Sequence, residues 1–325
     1  MRKSDFKVSV IIPILNEEGC VLALAERLIK ILGSYYKYEI IYIDDGSEDG
    51  TLSILKKLHS ENENIQFLSF SRNFGHQNAL RAGLQYASGD CIISLDGDMQ
   101  HPPELIPEMI NKWKEGYDIV FTIRRDEQKV SFLKKVTSRI FYKLMNTISD
   151  INFEPGEADF RLLDKIAARE LNNLNEQSIF FRGMVKWLGF RQIGIEYTPD
   201  ERFWGTSKYS NKKMIALAIS GITGFSTKPL RISTIIGTSI AFLSLIYGVY
   251  ALYIKIFTDR SIEGWTSVFF MVTLIGGIQL MMIGILGEYI GKIFIESKKR
   301  PNYIIRENSI NSNITQPQNI AGENF

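Results

Sequence analysis

Cysteine is almost missing from this 325-residue chain: there are two, Cys20 and Cys91. They lie far apart in apolar surroundings, which fits small core residues in a reducing compartment and leaves no disulfide framework or metal-binding pair. A surplus of charge is missing too, since 38 Lys and Arg stand against 36 Asp and Glu, a formal net charge of +2. No nucleic acid is therefore implied as a partner. No GxGxxG follows the first apolar run and no GxxxxGKS/T occurs, which removes the dinucleotide fingerprint and the P-loop. The start, MRKSDFKVSVIIPILNEE, places basic residues before an apolar stretch that is too short and too soon charged for a secretory signal. The N-terminal part is expected to stay in the cytoplasm.

Long uncharged runs come only late. Residues 232–255 and 265–288 each hold the roughly 20 apolar residues that cross a bilayer, without the polar stripe of a core helix. The short KIFTDRSIEG between them makes a hairpin with both ends on one side. Lys212, Lys213, Lys228 and Arg231 flank one end, and Lys292, Lys298, Lys299 and Arg300 the other. Basic flanks stay inside, so the expectation is a multi-pass protein of the inner membrane with its head and both termini cytoplasmic.

Between Val8 and about Ile123, strand-like runs (VSVIIP, YEIIYID, IQFLSF, DCIISLD, YDIVFTI) alternate with segments of helical period at 17–32, 51–61, 76–87 and 103–115. The fold class read from this is α/β, a mostly parallel sheet with helices on both faces, whose ligands sit at the carboxyl ends of the strands. Polar residues gather at those ends: Asn16 and Glu17 after the first strand, Asp44 and Asp45 in DDGSEDGT, Asp96 and Asp98 in DGDMQ. Carboxylates converging on one crevice repel a bare diphosphate, so a nucleotide held there needs a divalent cation. Mg2+ or Mn2+ suits oxygen ligands and keeps substrate phosphates in its shell. Alone, DDGS reads equally well as a turn with a helix cap, and one DxD as a solvated loop; together at successive strand ends they point to a site. His101 reads as a loop residue, and HPPE as a helix start.

VSVIIPILNEE, IIYIDDGSEDGT, ISLDGDMQHPPE and DFRLL resemble the inverting family 2 glycosyltransferases of the GT-A (nucleotide-diphospho-sugar transferase) fold. The late apolar runs and RFWGTSKY narrow the resemblance to the polyisoprenyl-phosphate glycosyltransferases, over roughly residues 7–305. The resemblance implies that Asp45 contacts the nucleoside, with Pro13 and Glu17 lining the same pocket. It puts Asp96 near the ribose and diphosphate, Asp98 on the metal with Asp96 and Gln100 completing the shell, and Arg124 at the donor phosphates. It gives Asp159 the position of general base, with Arg161 on the same segment, and Arg202 and Lys208, joined by Arg161, the acceptor phosphate. A lipid phosphate already ionised near neutrality leaves Asp159 less proton-transfer work, so orienting the acceptor stays open as its role. DGDMQ departs from the common DADLQ, keeping the carboxylate spacing.

The implied partners are a nucleotide sugar, a polyprenyl phosphate and the membrane. UDP-glucose is the first choice of donor, with GDP-mannose and UDP-linked amino sugars behind it; homo-oligomerisation is left open. The domains read as a catalytic head at 1–209, an interfacial amphipathic segment at 210–231, the two spans within 232–290, and a cytoplasmic tail at 291–325, disordered from about 308. A processive polysaccharide synthase is the rival enzyme, disfavoured by two spans only and by the absence of a QxxRW stretch. A non-catalytic membrane scaffold would have no use for three sets of strand-end carboxylates.

Overall fold

The computed structural model describes residues 5–125, 154, 156–174, 176–177, 180–199, 223, 226–257 and 264–310. Five apolar runs form strands: β1 (Lys7–Ile14), β2 (Lys37–Asp44), β3 (Ile65–Phe70), β4 (Cys91–Ser94) and β5 (Ile119–Arg124). Helices α1 (Val21–Leu32), α2 (Thr51–Glu61), α3 (His76–Tyr86) and α4 (Ile106–Lys114) separate them, α4 being entered through a 3-10 turn at Pro103–Leu105. Three further strands, β6 (Glu157–Asp164), β7 (Gln192–Tyr197) and β8 (Ile305–Asn308), complete one eight-stranded sheet in the order β7-β5-β6-β4-β1-β2-β3-β8.

Parallel pairing links β4, β1, β2 and β3, and separately β5 with β7. Strand β6 lies antiparallel between β4 and β5, so its N-terminal end meets the carboxyl ends of its neighbours. Successive side chains of a strand face opposite ways, and β1 shows it. Val8, Val10 and Ile12 pack under α1, α2 and α4, whereas Ile11 packs with α3 and two later helices, α5 (Lys165–Asn173) and α6 (Phe181–Trp187). Such double burial explains why these runs are continuously apolar.

Two long helices follow, α7 (Lys228–Phe257) and α8 (Trp265–Ser297). Their windows Lys228–Tyr250 and Leu274–Ser297 are long and apolar enough to cross a membrane, and neither is buried against the rest of the chain. Both helices outrun the apolar runs. Pro229 is accepted in the first turn of α7, and Glu288, Lys292 and Glu296, spaced four apart, extend α8 past residue 288 with mutually supportive charges. The Tyr289 hydroxyl of α8 donates to the Ser226 carbonyl at the foot of α7 (2.7 Å). The end of α8 touches the head, where Glu296 accepts from the Gln177 N–H (2.7 Å). Most of the 210–231 segment lies outside the described residues. The chain after α8 returns to the sheet as β8, antiparallel to β3, so the last residues before 311 belong to the head.

Candidate active site

The first two βα loops are laced together at the carboxyl edge. Asn16, held at φ 53°, accepts at its side-chain oxygen from the Glu48 N–H (2.9 Å), and its own N–H reaches the Ser47 hydroxyl (2.9 Å). The Glu17 N–H donates to the Thr51 hydroxyl (3.0 Å); its side chain is half-buried and Pro13 is buried. Asp44 and Asp45 divide the work. Asp44 is structural, accepting from the Ser47 N–H (2.9 Å) and the Ser69 hydroxyl (2.8 Å). Asp45 accepts from the Phe74 N–H (2.7 Å) and, through both oxygens, from the Gly75 N–H (3.2 and 3.0 Å). Burial pushes its carboxyl above the ordinary value, and the two amides only partly offset that.

The DGDMQ turn follows β4 against the end of β1. A methyl group on Gly97 would lie 2.4 Å from Ile14 Cγ2, so this packing admits glycine where the common motif has alanine. Asp96 sits between two imidazoles: His76 Nε2 lies 3.5 Å from one oxygen and His101 Nδ1 3.7 Å from the other. The Asp96 N–H donates to His101 Nδ1 (3.2 Å), and the buried His101 ring stacks on Phe160 at 5.3 Å. Asp98 Oδ1 accepts from the Gln100 N–H (3.1 Å) across Met99, which takes φ 61°. Asp96, Asp98 and Gln100 offer an all-oxygen donor set, which fits Mg2+ or Mn2+ when substrate phosphates complete the shell. Among the described residues no three His, Cys, Asp or Glu cluster to hold a metal without that help.

Strand β6 brings the third carboxylate. Asp159 is buried next to Asp96, with His76 Nε2 4.0 Å from its Oδ2, and it receives a two-pronged bond from Arg182 of α6 (2.8 and 3.0 Å). Burial opposes its charge, but Arg182, then Arg161 and His76, outweigh that and hold the carboxyl well below the usual range. Arg161 does not stand where an acceptor phosphate would meet it. Its side chain is 0% exposed, lies 3.5 Å from Asp159 and 3.6 Å from Glu157, and donates to the Ala158 carbonyl (2.9 Å). Lys186 reaches Glu157 at 2.7 Å, completing an inner charge network. Arg124 ends β5 at the same edge, exposed, its N–H bonded to the Gly156 carbonyl (2.8 Å). Arg202 and Lys208 lie outside the described residues.

Two residues of this cluster escape a reading of the first, second and fourth strand ends. His76 opens α3 after Gly75 (φ 97°), so the loop after the third strand carried the same signal. Arg182 had none, because its short helix is placed by the Phe181 N–H bonding to Gln77 of α3 (2.9 Å).

An α/β sheet with carboxylates gathered at its carboxyl edge, followed by a pair of helices apolar enough to cross a membrane, is the arrangement that the resemblance to membrane glycosyltransferases implies. Residues 9–173 match Glycosyl transferase family 2, and residues 228–293 match the GtrB C-terminal hairpin; the chain belongs to glycosyl transferase family 2. It is 41% identical to the uncharacterized glycosyltransferase YkcC of Bacillus subtilis over 92% of this chain and 93% of that one. It is 40% identical to the bactoprenol glucosyl transferase of Shigella phage SfV over 92% and 98%. Among solved structures, mannosyl-3-phosphoglycerate synthase from Rubrobacter xylanophilus matches with TM-score 0.47 and 14% identity over 81% and 80% of the chains.

Proposed function

We propose that the chain transfers glucose from UDP-glucose to a polyprenyl phosphate at the cytoplasmic face of the inner membrane. The observation that carries this reading is the 40% identity, over nearly the whole of both chains, to a protein named bactoprenol glucosyl transferase. In this reading Asp45, with Pro13 and Glu17, receives the nucleoside, and Asp96 faces the ribose and diphosphate. Asp98 and Gln100 would hold Mg2+ or Mn2+, which when bound neutralises charge that grows on the departing diphosphate. Arg124 adds a fixed positive charge on the same side.

The acceptor phosphate is mostly ionised near neutrality, its second pKa being about 6 if it behaves as other phosphate monoesters do. Its oxygen can attack the anomeric carbon without first losing a proton, so Asp159 serves best as a fixed anion that orients Arg182 toward the acceptor. Arg202 and Lys208 would hold the phosphate at headgroup level: arginine offers a two-pronged contact, lysine a point charge. The cytoplasmic orientation is supported by β8. A tail that pairs with β3 must emerge on the side of the membrane that holds the head, and Lys298, Lys299 and Arg300 favour the inside.

Thermal unfolding of the full-length protein in detergent, over a panel of nucleotide sugars, tests the donor and metal assignments. UDP-glucose with Mg2+ or Mn2+ should raise the midpoint most, EDTA should cancel the rise, and Asp98→Asn should behave as wild type with EDTA. A rise indifferent to EDTA would remove the metal from the reading, and a larger rise with another nucleotide sugar would remove UDP-glucose.

A further inference from the structure

The segment after the membrane hairpin does more than add an edge strand. The Ser71 N–H donates to the Ile304 carbonyl (2.9 Å), the Phe67 N–H to the Ser309 hydroxyl (2.7 Å), and Lys56 pairs with Glu307 (2.6 Å). Just before β8, the Tyr303 ring stacks on Phe70 with centroids 5.0 Å apart and planes 11° from parallel. Its hydroxyl donates to the Gln85 side-chain oxygen on α3 (2.5 Å). Phe70 ends β3 and meets Phe74 edge-on (5.8 Å, 87°), while the Arg72 guanidinium lies 4.5 Å from the Phe74 ring. The Phe74 and Gly75 amides are the ones that bind Asp45. A continuous set of contacts thus runs from the arm to the Asp45 carboxylate.

The loop it supports is otherwise held by the Asp45 bonds and by the Asn78 side-chain amide, which donates to the Phe74 carbonyl (2.8 Å). Residues 71–73 are exposed and belong to no helix or strand. The loop is pressed closely on the second βα turn: a methyl group on Gly46, at φ +75°, would fall 2.5 Å from the Arg72 carbonyl carbon. The Phe74–Phe70 ring contact seats the loop at this approach together with the turn's own bonds to the Phe74 and Gly75 amides. A carboxylate clamped by two amides presents its remaining lone pairs in one direction, which is what recognition of a nucleoside hydroxyl or imide requires.

We propose that Tyr303 is a positioning residue for the nucleoside end of the donor site, acting through Phe70 and Phe74 on the orientation of Asp45. The proposal rests on the reading of Asp45 as a nucleoside contact. Tyr303 lies six residues beyond the last residue of α8, so the donor pocket is completed by chain that has already left the hairpin.

The test uses full-length protein in lipid nanodiscs, with UDP as the binding probe. Aromatic pairs contribute enough that Tyr303→Ala should raise the Kd for UDP and the donor KM about three- to tenfold. The kcat and the KM for polyprenyl phosphate should stay within about twofold, and Tyr303→Phe, which keeps the ring, should bind UDP as wild type does. Hydrogen exchange at the Phe74 and Gly75 amides should quicken in Tyr303→Ala while the β2 amides keep wild-type protection. If the alanine variant does not accumulate, Tyr303→Leu is judged by the same exchange: quickening confined to residues 74 and 75 supports the proposal, and unchanged exchange overturns it. Wild-type UDP affinity in Tyr303→Ala, with affinity lost in Asp45→Asn, overturns the relay and keeps Asp45 as a contact. Unchanged affinity in Asp45→Asn overturns the underlying reading. A fall in kcat and thermal midpoint with donor KM unmoved makes Tyr303 merely structural.

Discussion

The Asp159 carboxylate accepts from two Arg182 nitrogens at 2.8 and 3.0 Å, and a carboxylate so paired has little affinity left for a proton. A general base works best with a pKa near the operating pH, whereas Asp159 is held far below it. Asp159→Asn should therefore retain measurable transfer, reduced by the misplacement of Arg182. Its rate should rise between about pH 5 and 7 as the lipid phosphate takes its second charge. Initial rates across that range check this, and a variant inactive at every pH would restore Asp159 as an obligatory base. At this scale the sequence was legible wherever a carboxylate followed a buried strand, as at Asp45, Asp96 and Asp98. Arg161 was placed at the acceptor by resemblance, which does not say which way a side chain turns; here Glu157 and Asp159 on its own strand hold it in the core.

Element by element, β1 to β5 were readable because burial on both faces demands unbroken apolar runs. Strand β6 hides the same burial behind Glu157, Asp159 and Asp164, whose partners Lys186, Arg182 and Trp113 come from other elements, and behind Arg161, which pairs within the strand. Strand β8, with four residues and no apolar run, depends on β3 for its existence. The amino ends of β1 and β2 hold a testable charge cluster. The buried Glu39 accepts from Lys7 Nζ (2.7 Å), the Ser9 hydroxyl (2.5 Å) and the Ser88 N–H (2.7 Å). Burial alone would raise its pKa, but these bonds outweigh it and leave the carboxyl below the ordinary value. A folded-state pKa below the unfolded one stabilises above the unfolded value, and that contribution disappears as pH falls through the folded value. Glu39→Gln should cost about 1–3 kcal/mol at pH 7, and the gap from wild type should narrow as pH falls below the ordinary glutamate value of about 4.3. Thermal midpoints at pH 7 and at about pH 3.5 measure it; a gap that widens in acid would show the carboxylate to be destabilising.

In the whole molecule, the α/β head and the apolar hairpin are tied together through Glu296 and β8. The hairpin was legible from length and apolarity alone, but its attachment was not, since a short returning strand resembles any polar tail. In the proposed reading, that attachment is what would hold the carboxylate edge within reach of a lipid phosphate whose chain stays in the bilayer. The proposed reaction moves one sugar to one lipid phosphate. It is tested most directly by giving the purified full-length protein, in proteoliposomes with undecaprenyl phosphate and Mg2+ or Mn2+, UDP-glucose labelled in the sugar, and identifying the product by mass. Label should appear in the organic phase as a lipid phosphate carrying a single hexose, formed with release of UDP and absent with Asp98→Asn. Label in a water-soluble polymer, or none transferred to the lipid from any nucleotide sugar, would contradict it.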